Sequence, residues 1–136
     1  MELNDDHWTA WTELAWRARK RAYAPYSGFA VGAVVVSAEG MPFAGCNVEN
    51  LSFGLTMCAE RVAVGNLVAS LGRVELVAVV VVADTEAPVS PCGACRQVLA
   101  EFGRPMIRLV GRGGRWEQFS MEQLLPRPST GILGRE

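Results

Sequence analysis

The residues of this sequence that are best suited to chemistry are three cysteines and one glutamate. Cys92 and Cys95 form a Cys-x-x-Cys pair at the start of a predicted helix, and their spacing places both thiols on one helix face. Cys58 begins another predicted helix, and Glu60 follows it by two residues. Free N–H groups at helix N-termini favour thiolates, and Zn–S bonds are about 2.3 Å long. The three thiols could therefore converge on one zinc ion.

Three protein ligands would leave the fourth tetrahedral position of zinc open to water, whose pKa the metal lowers to about 7. A carboxylate such as Glu60, close to the thiolates but not needed as a ligand, can act as a general acid and base. A Cys-x-x-Cys pair alone would more often indicate a structural zinc or a redox pair. A closed four-thiolate site that includes Cys46 is therefore an alternative reading.

Composition and charge argue against nucleic acid and membranes as partners. The chain has 13 basic and 14 acidic residues, whereas proteins that bind polyanions normally carry a basic excess. Its longest apolar run, residues 76–83, is much shorter than the about 18 residues of a membrane span. The acidic, polar N-terminus does not resemble a signal peptide. We therefore expect a cytoplasmic protein whose reduced cysteines serve a metal or catalysis.

The elements that must position these residues can be read from the hydrophobic periodicity of residues 1–136, which we interpret as a single domain. The first helix should run from residue 4 or 5 to about residue 22. Further helices are predicted over residues 58–71, 92–102 and 121–124. Strands are predicted over residues 31–37, 42–46, 74–83, 106–110 and 115–119.

Helices that alternate with apolar strands favour a sheet with helices on both faces. The turn at residues 111–114 is much shorter than the dozen or more residues that a parallel crossover needs. The fourth and fifth strands should therefore be antiparallel.

Four segments resemble motifs of the cytidine deaminase superfamily. Residues 58–61 (Cys-Ala-Glu-Arg) and 91–97 (Pro-Cys-Gly-Ala-Cys-Arg-Gln) resemble its zinc signature. Residues 25–33 resemble its substrate-side segment, and residues 45–50 its ribose-binding segment. A cysteine as the first ligand, where other branches have histidine, is similar to the small homotetrameric nucleoside deaminases.

The resemblance implies an α/β fold, a three-layer α/β/α sandwich with a five-stranded mixed sheet. It also implies zinc-dependent hydrolytic deamination of free cytidine or 2′-deoxycytidine to the uridine product and ammonia, as in pyrimidine salvage. One Zn²⁺ per subunit and a homotetramer are expected on the same basis.

The resemblance also assigns roles to individual residues. Cys58, Cys92 and Cys95 bind zinc, and Glu60 moves protons between water, the ring N3 and the departing ammonia. The other roles are to bind substrate or to donate hydrogen bonds to sulfur. Asn47 and Glu49 would bind the ribose, Phe29 would pack on the nucleoside, the Ala59 N–H would hold the base carbonyl, and Arg61 and Gln97 would withdraw charge from sulfur.

Three other functions compete with this interpretation. They are a deaminase of nucleic acid, a deaminase of a modified cytosine nucleoside of the blasticidin S type, and a non-catalytic zinc scaffold. The retained Glu60 argues against a scaffold.

Two departures from the family concern the edge of the substrate pocket. Phe53 stands where the family frequently has tyrosine, and no aromatic residue follows the Leu-Leu-Pro at 124–126.

Overall fold

The apolar strands form one five-stranded sheet in the computed structural model, which describes residues 1–130. Its strands lie in the order β2-β1-β3-β4-β5. Their bounds are β1 Val31–Ser37, β2 Pro42–Cys46, β3 Leu76–Ala83, β4 Met106–Val110 and β5 Trp116–Ser120. Among these five described strands, β3 and β4 pair in parallel, and the other neighbours, β4 and β5 included, pair antiparallel. The predicted mixed sheet and the predicted direction of the last two strands are confirmed.

Helices cover both faces of the sheet, which confirms the three-layer sandwich. Among residues 1–130 the α-helices are α1 Asp5–Arg19, α2 Ala59–Leu71, α3 Gly93–Glu101 and α4 Met121–Leu124. Helix α1 packs Trp8, Trp11 and Ala15 on one face, and the other helices build a second core on the opposite face. In residues 1–130 no helix is both long enough and apolar enough to cross a membrane.

Helix α1 is shorter than predicted because the chain after it pairs with another loop. Asn4 caps its start, where its side chain accepts a hydrogen bond from the His7 N–H at 2.9 Å. The helix ends at Arg19, and Tyr23 then bonds through its N–H to the Asn47 carbonyl at 3.0 Å. This pairing places the predicted substrate-side segment beside the predicted ribose-binding segment.

Strands β3 and β5 also begin later than predicted. Strand β3 starts at Leu76, where its register with β1 shifts between Val36 and Ser37, so the two residues before it lie outside the strand. Strand β5 starts at Trp116 because the turn before it is a short 3₁₀ segment, Arg112–Gly114.

Two glycines let the helices approach the sheet closely. A Cβ atom at Gly32 of β1 would lie 2.0 Å from the backbone oxygen of Ala15 in α1. A Cβ atom at Gly45 of β2 would lie 2.5 Å from the backbone nitrogen of Ala63 in α2. Gly45 therefore allows α2, the helix that begins next to Cys58, to pack closely on β2.

We predict that Gly45→Ala lowers the free energy of unfolding by about 1–3 kcal/mol or more, because α2 must move away from β2 to admit the methyl group. Gly65→Ala is the control, since Gly65 lies inside α2 with open space around it. That change should stabilise the helix by about 0.5–1 kcal/mol. Urea unfolding measures both effects. Equal stability of Gly45→Ala and the unchanged protein would contradict the packing argument.

Candidate active site

The N-termini of α2 and α3 bring three thiols together. Cys58 is the residue that caps α2, Cys92 caps α3, and Cys95 lies in the first turn of α3. Their three sulfur atoms lie within 4.8 Å of one another, and those of Cys58 and Cys92 are 3.8 Å apart. Tetrahedral zinc with Zn–S bonds of about 2.3 Å requires sulfur–sulfur separations of about 3.8 Å. The thiols therefore fit one tetrahedral metal ion.

Cys46 does not join this cluster. It lies at the end of β2, where it lines a groove between α1 and α2. In the part of the chain that the structure describes, the metal-binding group consists of the other three cysteines alone. A closed four-cysteine site is therefore not formed, and one tetrahedral position is left without a cysteine.

The surroundings of Cys58 favour its thiolate. A hydrogen bond from the Cys95 thiol is the main cause that lowers the pKa of Cys58 to about 5, and Arg61 lowers it further. The same contact holds the proton on Cys95 and raises the pKa of that buried thiol. The backbone N–H of Cys95 also donates to the Cys92 sulfur at 3.5 Å. The cluster is therefore prepared to bind a cation through sulfur.

Arg61 is a direct donor to sulfur. Its Nη2 atom lies 3.3 Å from the Cys58 sulfur and 3.5 Å from the Thr56 carbonyl oxygen. Its buried Nε–H has no acceptor among residues 1–130. A buried donor without a partner lowers the stability of the fold by about 1–3 kcal/mol. Sulfur atoms that are deprotonated on a metal are stronger acceptors than thiols, so the unpaired Nε–H fits a centre that holds a metal.

Glu60 is buried in the first turn of α2, beside the thiols. Its side chain and backbone are only 4% exposed, and this burial raises the pKa of the carboxyl group to about 7. The neighbouring Cys58 thiolate raises the pKa in the same direction. A carboxyl group with a pKa near neutrality can both accept and return a proton. Ala59 precedes it, also buried, and its N–H belongs to the first turn, where intrahelical partners are missing.

Asn47 and Glu49 lie on the loop after β2 and face the segment before β1. Asn47 is almost fully buried, and its amide accepts from the Val31 N–H at 2.8 Å and donates to the Phe29 carbonyl at 2.7 Å. Glu49 accepts from the backbone N–H groups of Tyr26 and Ser27, at 2.9 and 3.1 Å.

Glu49 also lines an open pocket of about 280 Å³. The pocket is bounded by Tyr26, Ser27, Glu49, Phe53 and Thr56. Phe53 packs edge-to-face on Tyr26, with ring centroids 5.8 Å apart, and the Phe29 side chain is 43% exposed. The pocket thus combines aromatic surfaces with one carboxylate, as a site for a small polar ring compound would.

Comparison with known proteins agrees with this geometry. Residues 6–110 match the family model described as cytidine and deoxycytidylate deaminase zinc-binding region. The chain belongs to this deaminase family. The matched range includes the three clustered cysteines, so the cluster fits one zinc ion per chain. When bound, zinc supplies Lewis acidity that makes water a nucleophile at neutral pH.

Individual relatives in the deaminase family point the same way. The cytidine deaminase of Sporosarcina psychrophila is 47% identical over 112 residues, which cover 81% of this chain and 82% of that protein. The crystal structure of cytidine deaminase from Burkholderia pseudomallei superposes with a TM-score of 0.85 at 44% identity, covering 89% of this chain and 98% of that one. A blasticidin-S deaminase of Bacillus cereus is more distant, at 26% identity over 104 residues, 71% of this chain and 74% of that protein.

The Gln97 amide binds the C-terminal segment instead of sulfur, which corrects the sequence-based expectation. Its Nε2 donates to the Ser129 carbonyl and its Oε1 accepts from the Ser129 N–H, both at 3.0 Å. The preceding Arg96 bonds to the carbonyl oxygens of Pro91 and Leu124, both at 2.8 Å. A side-chain amide can pair with a backbone in this two-bond manner, and no sequence pattern shows which partner it takes.

Ser27 forms contacts that the sequence interpretation did not identify. Ser27 had no individual role in the sequence, although its hydroxyl donates to Glu49 and its Oγ accepts from the Phe29 N–H at 3.0 Å. Only its place between two motif residues could have indicated it.

We predict that Arg61→Ala loses its metal at chelator concentrations about 10–100-fold lower than the unchanged protein, because Cys58 loses its charged donor. Gln97→Ala is the matched control and should retain metal normally, since its amide bonds to Ser129. Zinc released to a chromophoric chelator measures both. Equal zinc loss in the two variants would refute the separate roles.

Proposed function

We propose that this chain hydrolyses free cytidine or 2′-deoxycytidine to uridine or 2′-deoxyuridine and ammonia. The observation that carries the proposal is the buried Glu60 carboxyl group next to three thiols whose spacing suits tetrahedral zinc. Three protein ligands would leave one position on the zinc for water, as catalytic zinc sites require.

Different residues of the chain have different roles in the proposed reaction. Cys58, Cys92 and Cys95 hold the metal, and Arg61 withdraws charge from sulfur. Glu60 takes a proton from the attacking water and delivers it to N3 of the ring. It then passes the second proton to the amino group, which leaves as ammonia. Stabilising the tetrahedral carbon at C4 more than the flat substrate is what lowers the barrier.

The remaining residues orient the nucleoside. We assign the Ala59 N–H, in the first turn of α2, to the base carbonyl, because that turn offers free backbone donors. Phe29 presents an exposed ring for packing on the nucleoside. Asn47 and Glu49 are assigned to the ribose hydroxyls, since both already form hydrogen bonds at the edge of the pocket.

A nucleic-acid substrate fits this chain less well than a free nucleoside. The net charge is −1, so the attraction to phosphates that dominates nucleic-acid affinity is missing. The pocket lined by Glu49 contains no lysine or arginine among its described residues.

We assign the reaction to pyrimidine salvage. We assign the protein to the cytoplasm, because unpaired thiolate ligands persist in a reducing compartment. Residues 1–136 are assigned to one domain.

The experiment that tests this function follows the ultraviolet absorbance of cytidine, 2′-deoxycytidine, cytosine, CMP and blasticidin S with the zinc-loaded protein. Cytidine or deoxycytidine should be converted, and CMP and cytosine should not. Glu60→Gln should keep one zinc per chain and lose about 10²–10⁴-fold or more in turnover, because the proton carrier is gone. Conversion of blasticidin S alone would favour the modified-nucleoside function. Near-normal turnover by Glu60→Gln would refute the acid–base role.

We also propose a homotetramer, motivated by apolar side chains around the pocket. Leu51, Phe53 and Leu55 are 78%, 72% and 66% exposed, although such residues usually lie inside proteins or interfaces. A neighbouring subunit would cover them and complete the pocket rim. The lack of an aromatic residue after the Leu-Leu-Pro at 124–126 also concerns this rim. Residues 131 and 132, which belong to that stretch, lie outside the described residues.

Light scattering should give about four times the 14.7 kDa mass of one chain. Leu51→Lys and Phe53→Lys together should shift the protein toward smaller species, because charge cannot be buried cheaply in an apolar contact. Glu39→Lys is a control on the β1–β2 turn, outside these residues. A fully active monomer would rule out the tetramer.

A further inference from the structure

The hydroxyl group of Ser27 lies at the centre of the polar network on the substrate side. It donates to Oε2 of Glu49, and its oxygen accepts from the Phe29 N–H at 3.0 Å. The other oxygen of Glu49, Oε1, accepts from the Tyr26 and Ser27 N–H groups at 2.9 and 3.1 Å. One short turn thus supplies three donors to a single carboxylate.

These donors do not constrain the two carboxylate oxygens equally. Both backbone donors bond to Oε1. The Ser27 hydroxyl is the only described donor to Oε2. The terminal torsion of a glutamate is intrinsically broad and turning it moves both oxygens, so the Ser27 bond adds the second point that fixes the plane of the carboxylate.

The donor count leaves one place for a ligand. An ionised carboxylate has about four acceptor sites, and the turn occupies three of them. The Ser27 hydrogen bond is also the main cause that lowers the pKa of Glu49, which keeps the carboxylate ionised and acceptor-only. Glu49 and Ser27 both line the same open pocket, so the remaining acceptor site is available to a hydroxyl group of a ligand bound there.

The same network reaches Asn47 through the backbone of Phe29. The Phe29 carbonyl accepts from Nδ2 of Asn47 at 2.7 Å, while its N–H donates to Ser27. Asn47 is already held by two backbone groups and is almost fully buried. Of the two side chains assigned to the ribose, Glu49 is therefore the one whose orientation depends on another side chain.

We propose that Ser27 is a positioning residue that aims the free acceptor site of Glu49 at a ribose hydroxyl, and so sets the preference for substrates that carry these hydroxyls. The inference rests on the proposed function, in which Glu49 binds the ribose. Ser27 acts through Glu49 and takes no part in the chemistry at C4.

The test compares kcat/KM for cytidine and for 2′,3′-dideoxycytidine, which lacks both secondary hydroxyls. Ser27→Ala should lower the ratio of the two values by about tenfold, mainly through a higher KM for cytidine, because a charge-assisted hydrogen bond is lost. Ser27→Thr should restore the ratio, since it keeps the hydroxyl. Ser27→Cys, with similar volume but a weak donor, should behave as alanine does and covers the case in which Ser27→Ala fails to fold.

Ser37→Ala is the matched control. Ser37 is the buried last residue of β1, and its hydroxyl accepts from the Met41 N–H at 3.1 Å, so the variant loses a hydrogen bond between a serine hydroxyl and the backbone without changing the ratio. Ser27→Ala added to Glu49→Ala should leave the ratio of that variant unchanged. An equal fall for both substrates in the Ser27 variants, with the ratio preserved, would overturn the proposal. Failure of the unchanged protein to deaminate any cytosine nucleoside would instead overturn the proposed function.

Discussion

The convergence of two helix N-termini on three sulfur atoms is the constraint on which the rest of this structure depends. Thiolates and free N–H groups stabilise one another, so the ends of α2 and α3 are favourable places for Cys58, Cys92 and Cys95. The price is a dense cluster of negative charge once the thiols ionise. Arg61 compensates part of it from the first turn of α2, at 3.3 Å from the Cys58 sulfur.

The sheet and its glycines hold the two helices at the distance that this cluster needs. Helix α2 lies on β2 across Gly45, where even a methyl group would collide with the helix backbone. Helix α3 follows β3, and Arg96 ties the loop before it to the end of α4. These contacts hold the helices whose N-termini carry Cys58 and Cys92, the sulfur atoms of which lie 3.8 Å apart.

The substrate side is organised in a different way, by hydrogen bonds between loops. The pairing of Tyr23 with Asn47 and Glu49 joins the segment before β1 to the segment after β2. Asn47 and Glu49 then hold the turn that carries Ser27 and Phe29. Helix packing thus organises the cluster of thiols and the buried Glu60, whereas hydrogen bonds between loops organise the pocket lined by Glu49.

Local sequence determined the elements and the identity of the chemical groups. The hydrophobic periodicity and the turn residues predicted the order of helices and strands, and the motifs at residues 58–61 and 91–97 identified the thiols and Glu60. These signals could be read because they depend only on neighbours along the chain. The bounds of α1 and β3 and the partners of Gln97 and Ser27 depended on residues that are distant along the chain, which the sequence pattern does not specify. Tertiary structure alone decided the sulfur separation, the burial that raises the pKa of Glu60, and the exclusion of Cys46, since each arises from the packing of separate elements.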